Sequence, residues 1–453
     1  MTATSVLSDD VGSRARSGRE AARQLATSSV EDRNAALDRI ASALETGREQ
    51  ILQANARDLE QGRDLVAQGE LTQPLLQRLD LSGSKFEATV EMVRSVRAQT
   101  DPLGRTQSAT EIDTELELYR VSVPIGVLGV IFESRPDALV QIASLCLKSG
   151  NAVLLKGGRE AAATNQVLAQ IIAEAAAGSG IPDGWITLLE TREDVRAMLA
   201  EEESIDLIIP RGSNEFVRYI MDNTKIPVMG HADGLCHVYV DADADLTKAV
   251  RVAVDSKIQG VTTCCATETL LVHAGVADSF FAQAISQLES HNVVLRGDER
   301  TREAAAQLGA VAPATEQDWS TEYLDYVLSI KVVDSVDEAV NHINYYGSHH
   351  TDAIVTENAD TAAAFLRSVD SACVFHNAST RFADGFRFGL GAEVGISTGR
   401  LHARGPVGLE GLTIYKYLLR GGGQIVDDYE GGNPKPYTHG PIGENGVAPA
   451  AEG

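Results

Sequence analysis

The segment VPIGVLGVIFESRPDALVQIASLCLKSGNAVLLKGGREA, Val123 to Ala161, decides the fold. It opens on a near-continuous apolar run, the pattern of a strand covered on both faces. SRPDALVQIASLCLKSG follows as a helix closed by Gly150, and NAVLLKGG is a second buried strand. Two buried strands joined through a helix are the unit of a parallel sheet, since parallel neighbours require a crossover.

The alternation continues downstream. REAAATNQVLAQIIAEAAAGSG, REDVRAMLAEEES and SNEFVRYIMDNT read as helices, with GWITLLE and IDLIIPRG as strands between them, and this half is expected to end near Ser256. A second α/β run follows, with strands TETLLVH, NVVLRG, YVLSIKVVD, TDAIVTE and SACVFHN. Upstream, Ser17 to Gln68 and the stretch to about Gln99 place apolar residues three and four apart, as amphipathic helices layered on a sheet. TELELYRVSV alternates as a strand. Residues 427–453 are polar, contain Gly and Pro and lack periodicity, so they are expected to be disordered.

The chain has 453 residues, enough for about two or three domains. Its net charge of -25 argues against nucleic acid or an anionic membrane as a partner, and leaves room for a local basic pocket that takes a small anion. Five cysteines, an odd number without CxxC spacing, imply a reducing, cytoplasmic setting and no metal site. No signal peptide or membrane-spanning run is expected. GxGxxG and GxxxxGK[ST] are absent, and VDADADL lacks the glycine and glutamate of a calcium loop.

QGVTTCCATETLLVH, starting at Gln259, puts Cys264 and Cys265 at the mouth of a strand. Neighbours on a strand point to opposite faces, so the two cannot easily serve one substrate carbonyl. From the residues alone, packing and nucleophilic roles both remain open. PRGSNEFVRYI places Gly212 and Ser213 at a helix start, where free N–H groups attract phosphate. NASTRFADG, with Asn377, Ser379, Thr380 and Arg381, offers an amide, hydroxyls and a guanidinium to an anion after a strand.

Together the Val123–Ala161 block, IPVMGHADGLCHVYVD, QGVTTCCATETLLVH and NASTRFADGFRFGLGAEVGISTGRLHARGPVGLEGLTIYKY resemble the gamma-glutamyl phosphate reductase family of the aldehyde dehydrogenase superfamily. The resemblance spans roughly residues 17 to 422. It implies an aldehyde-dehydrogenase-like α/β fold: a Rossmann-type NADP-binding domain (1–106 and 124–257), a catalytic domain (258–403) and oligomerisation strands (107–123 and 404–422). It further implies a homo-oligomer in which LTIYKYLL pairs with the hairpin of another subunit.

The implied activity is NADPH-dependent reduction of L-glutamyl 5-phosphate, with release of phosphate, in proline biosynthesis. The family's nucleophile falls on Cys264, four residues before Glu268, with Cys265 a bystander. A thiolate attacks the acyl phosphate and the resulting thioester accepts hydride, so the site is expected to lower the thiol pKa. By resemblance, Lys156, Gly157, Gly158 and Arg159 take the adenosine ribose end of the cofactor, Gly212 and Ser213 its pyrophosphate, and Glu322 the nicotinamide ribose. FESRP lacks the superfamily's oxyanion amide, which makes Arg135 a candidate substrate group. Met229, Gly230 and His231 stand where hydrolytic relatives carry a base glutamate, which counts against water attack on the thioester and against a hydrolytic aldehyde oxidant. With no room for a fused kinase, contact with a separate glutamate 5-kinase is expected.

Overall fold

In a computed structural model the structure describes residues 10–133, 135–212, 214–230 and 233–442. Ser213, His231 and tail residues 443–453 therefore lie outside the described residues.

Helices Val11–Leu25, Val30–Thr46, Arg48–Ala67, Gln73–Leu79 and Ser84–Ala98 open the chain. The first two begin at side-chain caps, Asp10 accepting from the Ser13 N–H and Ser29 from the Asp32 N–H. Their apolar faces, with Leu25, Leu37, Ile40 and Val93 among them, pack on a buried sheet as the spacing predicts. A hairpin of β1 (Thr106–Asp113) and β2 (Leu116–Pro124) follows. Strands β3 (Val127–Phe132), β4 (Ala152–Lys156), β5 (Ile186–Leu189) and β6 (Leu207–Arg211) then build a parallel sheet ordered β5-β4-β3-β6. Every residue of β3 and β4 is buried, which explains their unbroken apolar runs.

The second half is a seven-stranded, all-parallel sheet. Its strands are β7 (Cys236–Val240), β8 (Thr267–His273), β9 (Val294–Gly297), β10 (Val311–Pro313), β11 (Val327–Val333), β12 (Thr351–Val355) and β13 (Cys373–His376), in the order β10-β9-β11-β8-β7-β12-β13. Beyond them lie the short pair β14 (Ile396–Ser397) and β15 (Gly405–Pro406), then β16 (Thr413–Arg420) and β17 (Gly440–Pro441).

Four expectations are corrected here. The boundary at 257/258 is too late: β7 and helix Leu246–Ile258 share the core of the second sheet, so the chain changes halves before Cys236. The catalytic half also ends before residue 403, because Ala392, Val394, Val407, Leu409 and Leu412 are buried in the core of the first half. Strand β16 pairs antiparallel with β2 of its own chain, from Thr413↔Pro124 to Arg420↔Glu117, and not with another subunit's hairpin. Finally, residues 427–442 are not disordered. Helix Asp427–Glu430 buries Tyr429, whose hydroxyl donates to Asp113 at 2.9 Å, and β17 pairs with the edge of β1. Tyr429, Tyr437 and His439 stack in series, a local apolar seam that a composition average hides.

Candidate active site

Cys264 and Cys265 do not lie on a strand. They are the two central residues of a tight turn closed by the Ala266 N–H donating to the Thr263 carbonyl at 2.9 Å, just ahead of β8. Thr263 in turn bonds the Gly260 carbonyl through its N–H (3.1 Å) and hydroxyl (2.6 Å). Cys264 is part-exposed and Cys265 is buried. Cys236, at the start of β7, donates its thiol to the Cys264 carbonyl at 3.2 Å. Gly234 lies so close that a Cβ there would stand 2.7 Å from Cys264 Cα and 2.6 Å from Glu322 Oε1, so only glycine fits between the cysteine loop and Glu322.

The thiol is not acidified as expected. Burial pushes the Cys264 pKa up to about 12, the carboxylates of Glu393 and Glu322 add to the rise, and Arg211 and Arg381 oppose it. Cys265 is likewise pushed up to about 12 by burial and by Cys264.

A cluster of cations surrounds Cys264. Arg78, on helix Gln73–Leu79, donates to the Thr262 carbonyl in the cysteine loop. Lys85 donates to the Arg78 carbonyl at 2.5 Å, and Arg135 precedes helix Pro136–Lys148. Arg211 ends β6, and its Nη1 is sealed from solvent without a hydrogen-bond partner. Burial is the main reason that Arg78, Lys85 and Arg211 all have lowered pKa values, and Arg135 lowers each further by like-charge repulsion. Asp137 and Glu393 are the facing acids, with Glu393 itself pushed up by burial. Such a site is short of negative charge.

Sequence reasoning reached Arg135 and missed Arg78, Lys85, Arg211 and Glu393. It assigned Asn377, Ser379, Thr380 and Arg381 to an anion, and the structure gives each of them partners within the protein. Ser379 and Thr380 are buried, with hydroxyls bonded to Ser256 (3.1 Å) and Thr267 (3.1 Å). Asn377 bonds Thr356 through both amide atoms. The Arg381 guanidinium holds Gln259 Oε1 at 3.0 Å and touches Cys265 Sγ. Thr380 and Arg381 tie β13's exit to the cysteine loop and the start of β8.

The other candidates line the carboxyl ends of β3, β4 and β6, the crevice where open α/β sheets bind ligands. Lys156 ends β4 and donates to the Gly157 carbonyl at 2.6 Å, with no carboxylate within ion-pair distance among the described residues. A Cβ at Gly157 would collide with Asn165, whose buried Oδ1 lacks a partner, and one at Gly212 would stand 2.8 Å from Glu133. Arg159 is paired with Glu70 at 2.5 Å on the surface. Glu322 accepts from Asn214 Nδ2 at 2.9 Å, and the same amide reaches Asp233 at 2.6 Å. A nicotinamide dinucleotide fits this arrangement: close backbone approach at the glycines, a lysine at a strand end, and a carboxylate beside the cysteine.

The aldehyde dehydrogenase family model matches residues 2–326. A gamma-glutamyl phosphate reductase of Acetivibrio thermocellus is 57% identical over 91% of this chain and 94% of its own. One of Haloquadratum walsbyi is 55% identical over 92% of each chain. The chain belongs to the gamma-glutamyl phosphate reductase family. The crystal structure of the Thermotoga maritima gamma-glutamyl phosphate reductase superposes with a TM-score of 0.87 at 40% identity, covering 92% of this chain and all of that one. Membership accounts for the two-sheet architecture and for a glycine-lined crevice opening toward a single part-exposed cysteine.

Proposed function

We propose that the protein reduces L-glutamyl 5-phosphate to L-glutamate 5-semialdehyde and phosphate through a thioester on Cys264, with NADPH as reductant. The observation that carries this reading is the cationic cluster around Cys264 in a chain of net charge -25, including a sealed Arg211 nitrogen without a partner. Arg78, Arg135 and Arg211 would take the phosphate and carboxylate oxygens, for which guanidinium geometry is suited. The Cys264 thiolate attacks the acyl carbon and phosphate departs into that cluster. The Cys264 N–H would stabilise the oxyanion. Bound NADPH supplies the hydride for the thioester carbonyl, and the hemithioacetal then collapses to the aldehyde and the free thiol. Lys156, Gly157, Gly158 and Gly212 would hold the dinucleotide and Glu322 its nicotinamide ribose, with Lys156 and Arg159 favouring a 2′-phosphate.

Two absences of function fit the same reading. Met229, in the position of the hydrolytic base, is buried against β6 and has no carboxylate to offer. No helix among the described residues is long and apolar enough to cross a membrane. The outer edge of β16 exposes Ile414, Tyr415, Tyr417 and Leu419, an apolar edge that supports pairing with a second copy of the chain. Transient contact with glutamate 5-kinase would protect the labile acyl phosphate.

The test is the reverse reaction. Glutamate 5-semialdehyde and NADP+ should yield reduced cofactor beyond one equivalent per site only when inorganic phosphate is supplied, and Cys264→Ala should abolish it. Sustained cofactor reduction without phosphate would mean that water reaches the thioester and would overturn the reading.

A further inference from the structure

Arg381 is 8% exposed, yet among the described residues no carboxylate lies within 4.0 Å of its guanidinium. A buried charge without a counter-ion is costly, and an apolar side chain would occupy that place more cheaply. Two of its guanidinium nitrogens instead donate to the Gln259–Cys265 loop. Nε donates to Gln259 Oε1 at 3.0 Å, Nη1 donates to Cys265 Sγ, and Nη2 would stand 3.1 Å from a Cβ at Gly260. The arginine is itself clamped. Its N–H donates to Ser379 Oγ at 3.3 Å, and its carbonyl accepts from Arg387 Nη1 at 2.6 Å. The loop it touches is the one whose turn displays Cys264.

We infer that Arg381 is a positioning residue for the nucleophile: it fixes the Gln259–Cys265 loop from behind and supplies the uncompensated positive charge that favours the Cys264 thiolate. This rests on Cys264 being the nucleophile. Arg381 then serves the thiol and not the substrate, because it is buried behind the turn and holds Gln259 and Cys265. The titratable groups facing Cys264 are Glu393, Glu322, Arg211, Arg78, Cys236 and Cys265. The two carboxylates oppose thiolate formation, so the cations decide how much thiolate is present.

Alkylation by iodoacetamide tests this directly, since only the thiolate reacts and the labelled residue can be mapped by mass spectrometry. Rates are measured across pH 7–9 on full-length protein that melts cooperatively. Arg381→Met should slow labelling at Cys264 by roughly tenfold at each pH, the effect of about one unit in pKa, and Arg381→Lys should restore part of the loss. Gln259→Glu keeps the shape of the loop contact but neutralises the guanidinium, and should slow labelling as well. This variant decides the matter if Arg381→Met fails to fold. A loosened loop with no electrostatic loss would label faster. Unchanged or faster labelling, or Arg381→Lys no better than Arg381→Met, overturns the inference. Failure of the underlying reading is separately visible, as turnover persisting in Cys264→Ala.

Discussion

Arg211 separates a residue kept for the substrate from one kept for the fold. Its Nη1 is sealed from solvent without a partner, no carboxylate lies within ion-pair distance among the described residues, and burial lowers its pKa with Arg135 repelling it. In the free protein the guanidinium is therefore a liability. A buried, unsatisfied charged donor costs about 1–3 kcal/mol, and Arg211→Met removes that cost while keeping most of the side-chain volume. At about 2–4 °C per kcal/mol for a domain of this size, the melting temperature should rise by a few degrees. Activity should move the other way. Losing one charge-assisted contact to a phosphate or carboxylate costs roughly 1.5–3 kcal/mol of transition-state binding, or about 10- to 150-fold in kcat/KM. The assay pairs thermal melting with the reverse reaction at varied phosphate, where the KM for phosphate should rise. A melting temperature that falls by several degrees would refute the reasoning, because Arg211 would then be stabilising the fold through Glu393. So would an unchanged phosphate KM.

Two further outcomes follow from the buried charges. Glu393→Gln removes a negative charge that pushes the Cys264 thiol up, so alkylation of Cys264 at pH 8 should quicken by about threefold to tenfold; a slower rate would mean that Glu393 takes up the thiol proton. Lys257 and Glu268 are a fully buried ion pair at 2.6 Å, and Glu268 also accepts the Leu324 N–H at 3.2 Å. Lys257→Met strands the carboxylate and should cost about 3–5 kcal/mol in urea unfolding. The double variant Lys257→Met/Glu268→Gln, which keeps an acceptor for Leu324, should recover most of it.

The parallel core was legible because β3 and β4 are buried on both faces and write that fact into consecutive residues. Sheet membership was not. CHVYV looks like any buried strand, and only the tertiary pairing with β8 and β12 assigns β7 to the second half. β16 was read as a strand, but an exposed aromatic strand does not announce whether its partner is β2 of the same chain or of another. At the site, Cys264 was legible from the long local motif around it. Arg78, Lys85, Arg211 and Glu393 were not, since four separate segments deliver them and each reads locally as a charge on a helix, a strand end or a loop. NASTRFADG presents the converse ambiguity. Hydroxyls in a loop after a strand read the same whether they face a ligand or each other, and here Ser379 and Thr380 face Ser256 and Thr267.

The site asks two incompatible things of positive charge. The acyl phosphate and the thiolate are both anions, and a cation neutralised by one offers less to the other. The structure divides the labour by burial. Arg135 repels both Arg78 and Arg211, and Arg211 keeps an unpartnered nitrogen, so under the proposed reading an arriving dianion would relieve them and be held by them. Arg381 is buried behind the turn, with Nε donating to Gln259 and Nη1 to Cys265. On the inference above, its charge would remain for the sulfur once the substrate had taken up the others. A thiol pushed up by burial and two carboxylates is thus compatible with a nucleophile. The resting thiol stays protonated, and the thiolate forms against a cation that the substrate cannot compete for.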